Sequence, residues 1–248
     1  MAAPAFLYKL YERRLMRELG ATALPRHIGV MLDGNRRWAK AQGLSAQEGH
    51  SAGYEKMREI IIDTIDRGVP YVSAYIFSTE NWHRSGPEIK HLMDLVVQML
   101  TRDLHIFVEH GIRLRVAGTR VRLSRRVKKA IDEAEAATKD LTHGTAILSF
   151  NYGGHQEIID AVNTLRKTLS AHKKVTAQIF EQFLYTPDVP PCDLIVRTSG
   201  EQRLSNFMLW RSAYSELIFV KKSWPDMTKR DITAILNEYA KRSRRFGG

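Results

Sequence analysis

Six short apolar runs punctuate the chain, at residues 28–32, 71–77, 112–117, 145–150, 194–196 and 217–220, and each is bounded like a strand. Between them the apolar positions change period. Tyr54, Met57, Ile61 and Ile65 recur at the three-and-four spacing of a buried helix face until Gly68 stops the pattern. Ile89, Leu92, Met93 and Val96 do the same behind Pro87, which the first turn of a helix tolerates, with Gly111 as the stop. Ser124 is the candidate N-cap of SRRVKKAIDEAEAATK, and Ile232, Ile235, Leu236 and Tyr239 mark a last helix. Strands alternating with helices along the whole length predict a single α/β domain: a mainly parallel six-stranded sheet flanked by helices on both faces. YTPDVPPCD, 185–193, reads as a rigid loop leading into a strand, because apolar patterning resumes at once.

The 248 residues suffice for one large core, and the 44% that are hydrophobic are spread evenly, which argues against disorder. A single cysteine, Cys192, excludes an internal disulfide framework and fits a reducing, cytoplasmic setting. No run approaches the roughly 20 apolar residues that span a bilayer. The net charge of +11 favours an anionic partner: nucleic acid, an anionic membrane surface or a phosphorylated substrate. Composition does not choose among them, so basic residues near strand ends become the informative ones.

In parallel sheets ligands bind beyond the carboxyl ends of the strands. Four of the six expected ends carry unusual chemistry: DGNRRW, STENWHR, NYGGHQE and RTSGEQRLS. In the first, Asp33 could hold Mg²⁺ against a phosphate that Gly34 lets the backbone approach; a plain Asp-Gly-Asn turn is the alternative. In the second, Ser78, Glu80, Asn81 and Arg84 surround Trp82, or else Ser78 or Thr79 merely caps a helix and Trp82 is core. In the last, Arg197 and Arg203 flank a glycine turn with Ser205 in reach, a fork-geometry clamp for a diphosphate. His50 is either a surface helix residue or a phosphate donor, and Glu216 either a strand-end charge or a second metal carboxylate. One site collecting these groups would bind a magnesium diphosphate. No G-x-x-x-x-G-K-[ST], no GxGxxG after the first strand, no HExxH and no DDxxD repeat occurs. Their absence disfavours P-loop kinases, dinucleotide dehydrogenases, zinc proteases and the all-helical trans-prenyl synthases.

In order and spacing, HIGVMLDGNRRWAK, GHSAG, FSTENWHR, NYGG, RTSGEQRLSNFMLW, SELIF, WPD and RRFGG resemble the cis-prenyltransferases, the undecaprenyl diphosphate synthase family, from about residue 24 to 248. The resemblance implies a homodimeric enzyme with an apolar product tunnel. It would condense isopentenyl diphosphate with an allylic diphosphate such as geranyl or farnesyl diphosphate, with Mg²⁺ as cofactor, to give a Z-polyprenyl diphosphate. Asp33 would then hold the metal and assist departure of the allylic diphosphate, which Gly34, Asn35, Arg36, Arg37, Trp38 and His50 would surround. Ser78, Thr79, Glu80, Trp82 and Arg84 would line the reacting centre, with Asn81 near the proton lost from isopentenyl diphosphate. Arg197, Arg203, Leu204 and Ser205 would grip the isopentenyl diphosphate, Glu216 its Mg²⁺, and Arg245, Phe246 and Gly247 would reach the site across the dimer interface.

The match has departures. Arg36 stands where the family most often has glycine, and Ala46 where arginine is usual, so one phosphate contact is either lost or supplied by Arg36. Ile76 and Phe150 occupy positions that are small in long-chain members. If both point into the tunnel the product is short, such as Z,E-farnesyl diphosphate; if they face the core they change nothing. Residues 1–23 form an amphipathic helical segment that either packs on the catalytic domain, 24–248, or lies peripherally on an anionic membrane. Non-catalytic relatives usually lack the first-corner aspartate and the paired arginines, which this chain keeps. A nucleic-acid partner rests on charge alone, without interleaved aromatics, and is not expected.

Overall fold

The structure, a computed structural model, describes residues 24–169 and 174–242; the N-terminal segment and Arg245 to Gly247 lie outside the described residues. The six apolar runs are the strands β1 (His27–Met31), β2 (Tyr71–Ser78), β3 (Ile112–Ala117), β4 (Gly144–Tyr152), β5 (Leu194–Arg197) and β6 (Glu216–Phe219). They form one sheet in the order β3-β4-β2-β1-β5-β6, and every pairing is parallel. The helices are α1 (Asn35–Ala41), α2 (Ala46–Asp66), α3 (Gly86–Leu100), α4 (Leu104–Glu109), α5 (Arg125–Thr138), α6 (Gly154–Thr168), α7 (Ala177–Glu181) and α8 (Lys229–Lys241). A 3-10 turn, Thr79–His83, follows β2, and another, Trp224–Asp226, precedes α8.

Helix boundaries follow local chemistry. Ser45 and Glu48 form a capping box that starts α2, and Ser124 caps α5 by accepting the Val127 amide hydrogen at 3.3 Å. Adjacent residues in the strands face opposite layers, and residues two apart share one. Ile28 and Val30 of β1, with Ala146, Leu148 and Phe150 of β4, pack against α2, α3, α5 and α8, while Met31, Ile147 and Ile195 pack with Phe207 on the other face. β1 lies between β2 and β5, so the chain leaves it in opposite directions, and the carboxyl ends of these three strands open a crevice at this switch point.

His27 anchors the opposite end of β1. It is fully buried, with Nδ1 2.9 Å from the Pro190 carbonyl and Nε2 2.8 Å from Ser73 Oγ. Burial depresses its pKa to about 4, and the Pro190 hydrogen bond only partly offsets this. The unfolded chain therefore binds a proton here that the folded chain refuses, so stability is lost as pH falls from about 6.5 towards 4, by roughly 3 kcal/mol in all. Urea unfolding at pH 7 and pH 4.5 should show a smaller loss in His27→Gln than in the wild type; equal losses would place the acid sensitivity elsewhere.

Candidate active site

The strand β1 ends in a turn fixed by its own backbone. The Asp33 carbonyl accepts from Thr198 Oγ1 at 2.8 Å and from the Trp224 amide at 2.9 Å. Gly34 then takes φ 104° as N-cap of α1; a Cβ there would also lie 2.9 Å from Ser223 Oγ, so glycine is required on two counts. This geometry turns the Asp33 side chain, 38% exposed, toward the crevice.

Arg197, the last residue of β5, answers it. Only 4% exposed, it donates from Nε to Asp33 Oδ2 at 2.6 Å and from Nη1 to Ser205 Oγ at 2.9 Å and to the Arg203 carbonyl. One guanidinium thereby fixes a carboxylate, a hydroxyl and a loop backbone in one geometry. Arg203 itself extends outward, 61% exposed, to pair with Glu201, and Arg37 reaches the same Glu201 at 3.0 Å.

The loop carrying Ser205 has left-handed backbone at Ser205, Asn206 and Met208, and neighbouring corners hold it there. Tyr75 donates to the Ser205 carbonyl at 3.3 Å, Asn206 Nδ2 donates to Glu80 Oε1 at 2.9 Å, and Asn206 Oδ1 accepts the His155 amide hydrogen at 2.8 Å. Three strand ends are thus tied into one rim. At the end of β2, Asn81 Oδ1 accepts the Ser78 amide hydrogen at 3.0 Å, which commits that oxygen to the turn. Arg84 pairs with Glu88 at 3.0 Å, and Glu88 meets His50 Nε2 at 2.9 Å. Burial, only partly offset by the Glu88 hydrogen bond, pulls the His50 pKa below its ordinary value and keeps the ring neutral at pH 7.

These groups rim a cavity of about 1080 Å³. Its mouth includes Asp33, Gly34, Asn35, Arg36 and Arg37 from the first corner; Ser78, Glu80, Asn81 and Arg84 from the second; and His50, Arg197 and Ser205. Lys40, Tyr75, His155 and Asn206 join them, although sequence reasoning named none of these as site residues; only the NYGGHQE corner pointed to His155. The deep part is apolar, between Met57 of α2, Leu92, Leu95, Val96 and Met99 of α3, and Phe150 of β4. Ile76 and Phe77 both line it. Regular alternation would send them to opposite faces, but the register between β2 and β4 shifts between Tyr75 and Phe77, which brings both to the cavity side.

Other expected site residues lie elsewhere. Trp38 donates to Asp226 Oδ1 at 2.7 Å, and Trp82 donates to Asn151 Oδ1 at 2.8 Å with its ring edge-on to Phe77, so both indoles brace the walls. Thr79 packs against Gly153, Leu204 joins the core of the opposite sheet face, and neither lines the cavity. Glu216 opens β6 opposite Leu194, at the amino end of the sheet, and pairs with Arg242 at 2.9 Å; within one chain it does not meet Asp33. GHSAG has the G-x-S-x-G spacing of a nucleophile elbow, but it lies inside α2, with Ser51 Oγ hydrogen-bonded to His91, and not at a strand-to-helix turn. Its glycines serve packing: a Cβ on Gly49 would lie 2.4 Å from the Asn35 carbonyl oxygen, and one on Gly53 2.5 Å from Asn35 Oδ1.

A cationic mouth above a long apolar pocket suits an amphiphile with a polyanionic head. The family described as undecaprenyl diphosphate synthase matches residues 31–247. An isoprenyl transferase from Thermotoga maritima is 48% identical over 227 residues, 91% of this chain and 97% of that protein. A trans,polycis-polyprenyl diphosphate synthase from Thermobifida fusca, described as (2Z,6E)-farnesyl diphosphate specific, is 43% identical across 95% of this chain and 83% of its own length. The crystal structure of lavandulyl diphosphate synthase from Lavandula x intermedia, in complex with dimethylallyl diphosphate, is similar with a TM-score of 0.87 and 31% identity, covering 92% of this chain and all of that one. With the family matched across the sheet and the whole rim of the crevice, the chain belongs to the undecaprenyl diphosphate synthase family and is a prenyltransferase.

Proposed function

We propose that the enzyme is a Mg²⁺-dependent cis-prenyltransferase that adds isopentenyl diphosphate to geranyl or farnesyl diphosphate and makes a short Z-prenyl diphosphate. The observation that carries this reading is the single cavity joining the Asp33–Arg197–Ser205 cluster to an apolar depth. In the reaction the allylic C1–O bond breaks and the diphosphate leaves with the electron pair. C4 of isopentenyl diphosphate then bonds to C1, and a proton is lost from C2.

Arg36, Arg37 and Lys40 face the leaving diphosphate and stabilise the charge that grows on it in the transition state. Arg197 and Ser205 hold the diphosphate of isopentenyl diphosphate. Asn81, whose amide is a poor base by itself and whose Oδ1 accepts the Ser78 amide hydrogen, orients the substrate beside the proton lost from C2. The donor set fits a magnesium ion: Asp33 Oδ2 is held by Arg197, and Oδ1 accepts from no other described residue. An ion held by Asp33 would take its other oxygens from substrate phosphates and water. Bound there, Mg²⁺ would neutralise diphosphate charge and ease its departure.

The cavity supports a short product. Its 1080 Å³, slightly above the roughly 300–1,000 Å³ of pockets for drug-sized ligands, must hold two diphosphates as well as hydrocarbon. Ile76 and Phe150 both face it. The homodimer is part of the same proposal. Among the described residues β6 has an unpaired edge, with exposed Leu217 within that strand and Tyr214, 68% exposed, two residues before it. In that dimer Arg245 and Gly247 would complete the partner's site. The division into a 1–23 segment and a catalytic domain, and peripheral contact of that segment with the membrane, complete the reading; no helix among the described residues is long and apolar enough to cross a membrane.

The test is a product assay with Mg²⁺, labelled isopentenyl diphosphate and geranyl diphosphate. A product one unit longer than the primer is expected, and absence of labelled prenyl product would overturn the reading. Ile76→Ala opens space in the cavity wall and should lengthen the main product by about one isoprene unit or more.

A further inference from the structure

Helices α2 and α3 are fastened to each other at two levels. The upper fastening is the His50–Glu88 contact beside the polar mouth. The lower one gathers on Asp103, which lies just beyond α3 and is 5% exposed. Tyr54 of α2 donates its hydroxyl hydrogen to Asp103 Oδ2 at 2.5 Å, and Gln98 of α3 donates to the same oxygen at 2.9 Å. Arg58 of α2 reaches that oxygen at 3.2 Å, and Arg102 reaches Oδ1 at 3.2 Å.

Between the two fastenings, in chain order, α3 presents Leu92, Leu95, Val96 and Met99 to the cavity. α3 begins past the carboxyl end of β2 and returns toward the amino end of β3, so its apolar stretch descends about 10 Å from the mouth. The Tyr54 ring lines the cavity while its hydroxyl is tied below.

We propose that the Tyr54–Gln98–Asp103 tie closes the deep end of the cavity and limits product length, a positioning role that rests on the prenyl-elongation reading. A chain one unit too long must part α2 from the end of α3. Apolar helix contacts can slide, but this parting strips a buried carboxylate of the Tyr54 hydrogen bond and of Arg58. Burial alone would push the Asp103 carboxyl up; hydrogen bonds from Tyr54, Gln98 and Arg102 outweigh it and hold it down at about 2, so the tie is charged at any working pH.

The experiment sizes the products of Tyr54→Phe and Asp103→Asn, made from geranyl diphosphate and labelled isopentenyl diphosphate. Phenylalanine keeps the ring, so it removes the tie without enlarging the wall. Both variants should shift the main product by about one unit or more, while the single-turnover rate of the first condensation by Asp103→Asn stays within about twofold of wild type, a split that general loosening would not give. Circular dichroism establishes the fold of each, and Tyr54→Phe, which removes only the hydroxyl that crosses from α2, carries the test if Asp103→Asn unfolds. Folded variants with the wild-type product overturn the tie alone. A wild type that makes no prenyl product overturns the elongation reading beneath it.

Discussion

Asp33→Asn should lower kcat/KM by about a thousandfold while the protein remains folded. The size of the effect separates two roles for this carboxylate. If Asp33 only braces Arg197, asparagine still accepts a hydrogen bond from Nε, and the loss is that of weakening one charged hydrogen bond, about tenfold. If its free oxygen also holds the metal ion, the variant loses charge stabilisation of the departing diphosphate as well, and a thousandfold corresponds to about 4 kcal/mol. Initial rates across a Mg²⁺ series decide between them. A loss near tenfold, with unchanged Mg²⁺ dependence, would leave Asp33 as a brace and the metal held elsewhere.

Arg197→Lys gives the second large effect. Arginine spans Asp33, Ser205 and the Arg203 carbonyl from two of its nitrogens, whereas an ammonium is a point charge on a flexible stem. Losing one or two charged hydrogen bonds at about 1.5–3 kcal/mol each predicts a rise of about tenfold to a hundredfold or more in KM for isopentenyl diphosphate. Because Arg197 is buried, the same change leaves Asp33 and the Ser205 loop poorly satisfied, and the melting temperature should fall as well. Wild-type KM in the lysine variant would show that charge alone is read at this position.

Much of this arrangement is legible in the chain. The inner strands β1, β4 and β5 announce themselves as apolar runs because they are buried on both faces, and the corners carrying the arginines stand at the strand ends where ligands bind. Helix α6 is harder to see. Its buried positions Ala161 and Leu165 are mixed with Ile159, 53% exposed, and with exposed Val162, which blur the stripe. Glu216 is kept from Asp33 within one chain for a directional reason: a residue at the start of a parallel strand lies at its amino end, and local patterning does not show which end carries the crevice. The indoles of Trp38 and Trp82 find partners at Asp226 and Asn151, more than sixty residues away, so their turn into the walls is tertiary information. The packing of Gly49 and Gly53 against Asn35 is tertiary in the same way, although the glycine spacing itself is plain in GHSAG.

The irregularity in β2 has an evolutionary reading. Tyr75 and Phe77 have partners in β4, at Ser149 and Phe150, but Ile76 is skipped by the ladder. Its side chain can therefore be exchanged without disturbing a register partner, while every exchange is felt by whatever fills the cavity. A descendant of this gene could drift through alanine, valine or leucine at position 76 and try out products of different size on an unchanged scaffold. In that sense the skipped residue is a site where catalytic diversification is decoupled from the integrity of the sheet.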